Sequence, residues 1–451
     1  MKTTRIFFMA ALALTFAACS NDDNEFAPQP QKAEGITITA QLAPKTNGTT
    51  TRAVSDKSTY IEAKWAVDEH IAILYTVGST KYAADARIKT VDGTTGVATI
   101  EFAVVAGIPD NTDCTLVYPY AAAKTDKTGV KAYADLLATQ DGVLDGDLDV
   151  RVGAGKIKAT TPGLDVITQP AAQFSIFKFT IQNLSGADKT TTAFKVSDNS
   201  GNVITTVTPG LATGTLYVAL PSLATGTYWF NATIDSKPYI AKATVGTATT
   251  AGNYYRTTVK MATFGDFILD DGKFAPSSST GTKVAMIAYV GSETGEAAPY
   301  KHGLALALSD AGGSGTKYKW KTSNSDAGHT WQSSSSFTSE SGLQYNDATH
   351  NSDTYPAFKA AIANNSTAKP TTGCSDWFLA SGYQWAKMFT AAGGAANLKT
   401  NATPYTGLES YYYWSSSECD ADNAWDFDSD YGRWYYGDKD YDYLVRSCLA
   451  F

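Results

Sequence analysis

From Tyr411 to Tyr443 the chain reads YYYWSSSECDADNAWDFDSDYGRWYYGDKDYDY, where Tyr, Trp, Asp and Ser follow one another with almost no aliphatic residue. Tyr and Trp combine large rigid faces with a polar edge, and Ser and Asp add short hydrogen-bonding groups, a mixture that suits recognition better than core packing. Between Trp425 and Tyr431 the carboxylates of Asp426, Asp428 and Asp430 fall at every second position, so a strand here carries them on one face. Eight Asp between positions 420 and 442, against Arg433 and Lys439, repel one another unless a cation, a cationic ligand or solvent screens them. Several ligand classes fit. Rings stack on sugar C–H faces while Asp and Asn accept hydroxyl hydrogens, as a glycan requires, and the same mix suits a protein receptor. Calcium takes hard carboxylate oxygens, although the Gly and terminal Glu of an EF-hand loop are absent.

Catalytic patterns are missing. The histidines lie at positions 70, 302, 329 and 350 with no HExxH or paired spacing for zinc. There is no GxSxG nucleophile elbow and no phosphate-binding loop. Acidic pairs at two-residue spacing are so numerous that none stands out as a glycosidase pair. The expectation is a binding protein rather than an enzyme, with no cofactor beyond the calcium question. A net charge of -8 argues against a nucleic-acid partner, because that affinity rests on Lys and Arg neutralising phosphates.

A recognition surface needs rigid elements beneath it. ITITAQL, HIAILYTV, VATIEFAV and CTLVYPY alternate with the period of a half-buried strand and predict a β-sandwich over residues 35–165, with a short helix in VKAYADLLAT. After Pro162-Gly163 come FSIFKFTIQNL, TTAFKVSD, VITTVT, TLYVALP, TYWFNATI and YYRTTVKM, which predict a second sandwich over 166–262. The phrase LATGT recurs at positions 211 and 223, which predicts adjacent strands. Composition changes at Phe264-Gly265-Asp266, and residues 263–451 read as a compact α+β unit. Here VAMIAYV predicts a strand, GLALALSDA a small-residue helix, and TYPAFKAAIANN and SGYQWAKMFTAAGG two further helices. Ser381 and Gly382 open the last of these, Gly393-Gly394 closes it, and Trp385, Met388 and Phe389 share its packing face. Cys374 or Cys419 could pair with Cys448 in an exported protein, and buried free thiols fit equally well.

Residues 1–18 have the basic start (Lys2, Arg5), apolar run and small residues of an export signal. Cys19 directly after Ala17-Ala18 resembles a bacterial lipoprotein box, which implies a lipid on Cys19 and an outer-membrane anchor; the alternative is plain secretion. The acidic run Ser20 to Glu25 resembles the surface-export signal of Bacteroides-like bacteria, and residues 19–34 read as a lipidated linker.

With this lipobox, Thr51-Arg52-Ala53, the Trp65 strand entry and Tyr118-Pro119, residues 20–260 resemble fimbrillin-type pilins of Bacteroides, which implies pilin-like, transthyretin-like sandwiches. In that family a trypsin-like protease cuts after an Arg in the first strand, loss of that strand opens a groove, and a donor strand from the next subunit fills it. The matching residue here is Arg52; the alternative is an ordinary loop Arg. The phrases His302-Gly303-Leu304-Ala305-Leu306, Trp377-Phe378-Leu379-Ala380-Ser381-Gly382, Tyr413-Trp414-Ser415-Ser416-Ser417-Glu418 and Val445 to Phe451 resemble the C-type lectin-like C-terminal domain of fimbrial tip-like lipoproteins, with Ala380 where that domain often carries Pro. The resemblance makes Trp414, Trp425, Val445, Leu449 and Phe451 framework. It leaves Tyr411, Tyr412, Asp420, Asp422, Asp426, Asp428, Asp430, Tyr431, Trp434, Tyr435, Tyr436, Asp438, Asp440, Tyr441 and Tyr443 facing solvent as the ligand-binding set. The composition also resembles variable regions rewritten by diversity-generating retroelements. Together these resemblances imply a fimbrial tip adhesin at the cell surface that accepts a donor strand and binds a glycan or a surface protein. The rival expectation is a solitary surface lipoprotein that captures polysaccharide.

Overall fold

A computed structural model describes residues 36–44, 55–56, 61–62, 64–145, 148–333, 335, 337–366 and 368–451. The expected export signal, Cys19, the linker and Arg52 lie outside these residues.

The first unit is one seven-stranded antiparallel sheet, in the order Ile36–Leu42, Ala98–Val104, Thr80–Val91, His70–Val77, Thr112–Tyr118, Arg151–Lys158, Gly163–Ala172. The alternating runs form their strands because every second side chain, such as Ile38, Ile71, Ile73, Ile100, Phe102 and Leu116, enters one apolar cluster. Each such burial stabilises the fold by about 1.5–3 kcal/mol. The sheet curls, so that Leu164 and Val166 of one edge strand pack on the same cluster as Ile38 and Leu42 of the other. The last strand runs to Ala172 and crosses the expected boundary at 165. Pro162-Gly163 therefore marks a hairpin within the sheet, Gly163 pairing with Lys158, and not a break between units. The preceding strand, RVGAGKIK, gives a weak strand signal because its glycines are needed. A Cβ on Gly153 would stand 2.6 Å from the Thr168 carbonyl.

Two further sheets share a second cluster that includes Phe177, Phe179, Phe194, Val218, Phe230 and Met261. One has the order Thr215–Leu220, Ser175–Asn183, Tyr254–Met261; the other is Lys237–Val245, Gly226–Ile234, Ala193–Asp198, Val203–Val207, Thr139–Gln140. The strands that follow the two LATGT phrases thus lie in opposite sheets rather than side by side. Burial separates them: Val218 and Phe230 reach the shared cluster from its two sides.

The C-terminal part holds a six-stranded sheet, Phe274–Ala275, Phe267–Leu269, Lys283–Val290, Gly303–Ala307, Ser447–Ala450, Phe378–Leu379. GLALALSDA, expected as a helix, is a central strand here. Leu304 and Leu306 enter one core cluster and Ala305 and Ala307 another, so both faces are covered and the alternation disappears from the sequence. The helix Gly382–Ala392 is present as expected. Ser381 and Gln384 make a reciprocal capping box, and Gly393 takes the left-handed closing conformation at φ 71. Trp385 is fully buried, and the half-buried Phe389 packs beside it. Cys114, Cys374, Cys419 and Cys448 are all free thiols.

Candidate functional site

The Tyr- and Asp-rich run folds into a five-stranded sheet, in the order Lys317–Lys319, Asp442–Leu444, Tyr412–Glu418, Asn423–Asp428, Arg433–Asp438. Alternation assigns its side chains to two faces. On the inner face Tyr413 and Phe427 join the core with Trp385, whose ring stacks on Phe427 at 5.6 Å. Trp434, expected to face solvent, belongs to this inner face: its ring lies 5.6 Å from Phe427 and 4.6 Å from Phe337. It packs because its partner in register is Phe427, which already points inward. Tyr436 is exposed on that same side, at the edge of Trp425.

The outer face carries the site. Register sets Tyr412 opposite Asp428, Trp414 opposite Asp426, and Asp426 opposite Tyr435. Tyr443 joins from the neighbouring strand, and the rings form a continuous band. Ring centroids are 4.5 Å apart for Trp414 and Tyr443, 5.2 Å for Tyr412 and Tyr443, 6.0 Å for Tyr412 and Tyr435, and 5.5 Å for Tyr411 and Tyr412. Tyr441 extends the band 6.2 Å beyond Tyr443. At its margin the Lys317 ammonium stands 3.5 Å over the Tyr411 ring, a cation–π contact.

The platform is fastened from beneath and at its ends. The Trp414 indole donates to the Tyr318 carbonyl at 2.8 Å, and the Trp320 indole donates to that of Ser415 at 2.7 Å. Arg446 donates to Asp310 at 2.6 Å, and the Tyr413 hydroxyl donates to the other oxygen of Asp310 at 3.0 Å. Lys439, fully buried, is paired with the equally buried Glu418 and donates to the Asp420 carbonyl at 3.0 Å. Lys439 is therefore neutralised by Glu418, and among the described residues the ion pair made to one of the eight Asp is that of Lys399 with Asp430.

Two of the carboxylates expected at the surface, Asp420 and Asp428, prove to be turn chemistry. Asp420 accepts the N–H groups of Asp422 and Asn423 at 2.9 and 2.8 Å. Asp428 is buried, not solvent-facing, because it accepts the N–H groups of Asp430 and Tyr431 at 2.8 and 3.3 Å and so closes the hairpin. Asp430 pairs with Lys399. Asp420, Asp422, Asp438 and Asp440 gather at one end of the sheet, and Asp430 and the exposed Tyr431 lie at the other. Asp426 is the exception in kind. Expected on the surface, it is only 1% exposed beneath the ring band, and neither carboxylate oxygen has a hydrogen-bond partner. Burial, assisted by the neighbouring Asp428, pushes it up to about 7.

Among the described residues no group of three His, Cys, Asp or Glu side chains converges as a metal would require, so the calcium expectation gains no ligand set. Sequence spacing missed one pair: His329 Nε2 lies 2.9 Å from His350 Nε2, and His350 Nδ1 lies 2.9 Å from Asp347. The pair is packed on Tyr345 and Phe358, and burial pushes His329 down to about 4. His302, stacked on Trp229 at 4.0 Å, has the structural place expected of it. A separate cavity of about 710 Å³ lies between Trp229, Lys242, Asp271, Tyr300 and Cys374, far in the sequence from the ring band.

No protein-family model matches this chain, and no curated protein matches it. Among solved structures it is similar to a fimbrial protein from Bacteroides ovatus at 13% identity, over 92% of this chain and 99% of that one, with a TM-score of 0.32. It is similar to a fimbrial assembly protein from Parabacteroides distasonis at 14% identity, over 50% of this chain and 90% of that one, with a TM-score of 0.29. It is also similar to the tip fimbrial protein of Porphyromonas gingivalis, solved with a C-terminal truncation, at 8% identity over 50% of this chain and 99% of that one, with a TM-score of 0.26.

Proposed function

We propose that the chain is a cell-surface adhesin of the fimbrial type, exported as a lipoprotein on Cys19, whose C-terminal, lectin-like part binds a glycan or a surface protein. The observation that carries this reading is the band of tyrosine rings from Tyr441 through Tyr443 and Tyr412 to Tyr435, seated on the fully buried Trp414, on a sheet whose reverse side is locked into the core. Rigid Tyr faces on a fixed platform give contact area at small cost in conformational entropy. The role is binding, with no reaction assigned.

A second observation favours the pilin half of the reading. Ile36–Leu42 is an edge strand, paired over seven residues with Ala98–Val104, and it precedes Arg52 in the sequence. Cutting after Arg52 would free a segment that alone supplies Ile38, Ala40 and Leu42 to the first core. A strand from another subunit could then take its place. Ser447–Ala450 is already hydrogen-bonded on both sides, to Gly303–Ala307 and Phe378–Leu379, so it is an unsuitable donor.

The test is binding of the full chain to arrays of glycans and surface proteins, with Tyr435→Ala and Tyr441→Ala beside the wild type. A specific ligand should lose at least about tenfold in affinity in both variants at unchanged melting temperature. Affinity unaffected by either change overturns the reading.

A further inference from the structure

We infer that the outer face of this sheet takes an alkylammonium group, of the kind that ends a lysine side chain, with the Asp426 carboxylate beneath it, the rings of Tyr412, Tyr435 and Tyr443 around it, and the fully buried Trp414 as its floor. The inference rests on the binding reading above and supplies the chemistry of its ligand.

Asp426 carries the argument. Its side chain is 1% exposed and both oxygens lack a donor, although buried carboxylates elsewhere in this unit are served: Glu418 by Lys439, Asp310 by Arg446 and Tyr413. Its neighbours in register are ring-bearing residues, Trp414 on one side and Tyr435 on the other. What the surroundings of this carboxylate lack is a positive hydrogen-bond donor, and no nearby basic group among the described residues reaches it. Lys317 lies over Tyr411 and Lys399 pairs with Asp430, while Arg433, opposite Asp428 on the same face, makes no ion pair among the described residues and lies 6.0 Å from the exposed Tyr431 ring, leaving Asp426 unserved.

An ammonium group meets the carboxylate and the rings at once. It donates to the carboxylate, and its charge is attracted to the ring faces. A metal ion fits less well, because rings offer no oxygen ligands and the nearest carboxylate, Asp428, already accepts two backbone N–H groups. A neutral hydroxyl would satisfy Asp426 while leaving the ring faces without a charge to attract. Lys317 over Tyr411 is an internal instance of the same contact at the edge of the same cluster. Entry requires one rim ring to turn aside, and Tyr435, 42% exposed, is the one with room to do so.

The experiment titrates the full chain with n-butylammonium chloride, butyltrimethylammonium chloride and the neutral 1-butanol, by calorimetry at pH 8. Binding of n-butylammonium at about millimolar affinity is expected for so small a probe, with weaker binding of butyltrimethylammonium, which has no N–H to donate, and none for 1-butanol; butyltrimethylammonium binding as tight as n-butylammonium overturns the donor part of the inference. Asp426→Asn should weaken the cation at least about tenfold, and Tyr435→Ala should weaken it while Tyr435→Phe retains it. Melting curves establish that each variant is folded, and the Tyr435 pair keeps the test open if Asp426→Asn is not. Equal binding of 1-butanol, no cation binding, or cation binding unaffected by Asp426→Asn and Tyr435→Ala overturns the inference. If Tyr435→Ala abolishes binding of an array ligand while Asp426→Asn and acetylation of the ligand's amines do not, the adhesin reading stands and the ammonium inference falls.

Discussion

Replacing Asp426 by Asn should stabilise the protein at alkaline pH. The carboxyl has no donor, and burial with Asp428 beside it raises it from 3.8 to about 7. Because the folded value lies above the unfolded one, the native state holds a proton that the unfolded chain has released over that window. Stability therefore declines as pH rises from 3.8 to about 7 and stays low above it. Each unit of difference is worth about 1.4 kcal/mol, so the full effect is roughly 4 kcal/mol, and with local relaxation we expect about 2–4 kcal/mol. Tyr412 and Tyr443, which face the same carboxylate, are themselves pushed upward and stay neutral throughout. The assay is urea unfolding of the full chain at pH 4, 6 and 8, followed by tryptophan fluorescence. Asp426→Asn should match the wild type at pH 4 and exceed it by the stated amount at pH 8. A variant equal to or less stable than the wild type at pH 8 would refute the claim that an unserved carboxylate lies under the rings.

Lys439→Met leaves Glu418 buried without its partner and should cost about 3–5 kcal/mol in the same unfolding assay, whereas the exposed Asp422→Ala should change little. His329 is pushed from 6.5 down to about 4, so the unfolded chain takes up its proton first as pH falls, and stability is lost from about pH 6.5 toward 4. His329→Phe should flatten that part of the stability–pH curve. Trypsin cleavage after Arg52, followed by removal of the freed segment, should destabilise the first unit by roughly 3–6 kcal/mol for the buried Ile38 and Leu42. A synthetic ITITAQL peptide should restore most of it; an unchanged melting curve after removal would contradict the edge-strand account.

Much of the fold could be read in the sequence because burial on one face imprints a period of two. Ile36–Leu42 and Ala98–Val104 coincide with the alternating runs and alternate in burial, whereas His70–Val77 is found as expected although both its faces are covered. The strands that were not foreseen lack that imprint for identifiable reasons. Gly303–Ala307 is buried on both faces, and Arg151–Lys158 needs glycines where the next strand presses on it. The site was legible as composition but not as geometry. Alternation indicated that Asp426 and Asp428 share a face, yet it could not say that the face lies under tyrosines from other strands, or that Asp428 is consumed by a turn. Trp414, expected as framework, is framework: it is fully buried in a core cluster with Trp320 and Phe358, while register sets it opposite Asp426. Trp434 was expected outside, but its partner Phe427 fixes it inside. The His329–His350 contact joins two loops, which no local spacing encodes.

The most direct test of the central claim is tyrosine footprinting of the full chain, by nitration or iodination read by mass spectrometry, with and without a ligand found on the arrays. Protection of Tyr412, Tyr435 and Tyr443, with Tyr436 on the reverse face and Tyr431 at the hairpin tip unchanged, is the predicted outcome. Protection confined to Tyr436 or Tyr431, with the outer band as reactive as before, would contradict the assignment of the binding face.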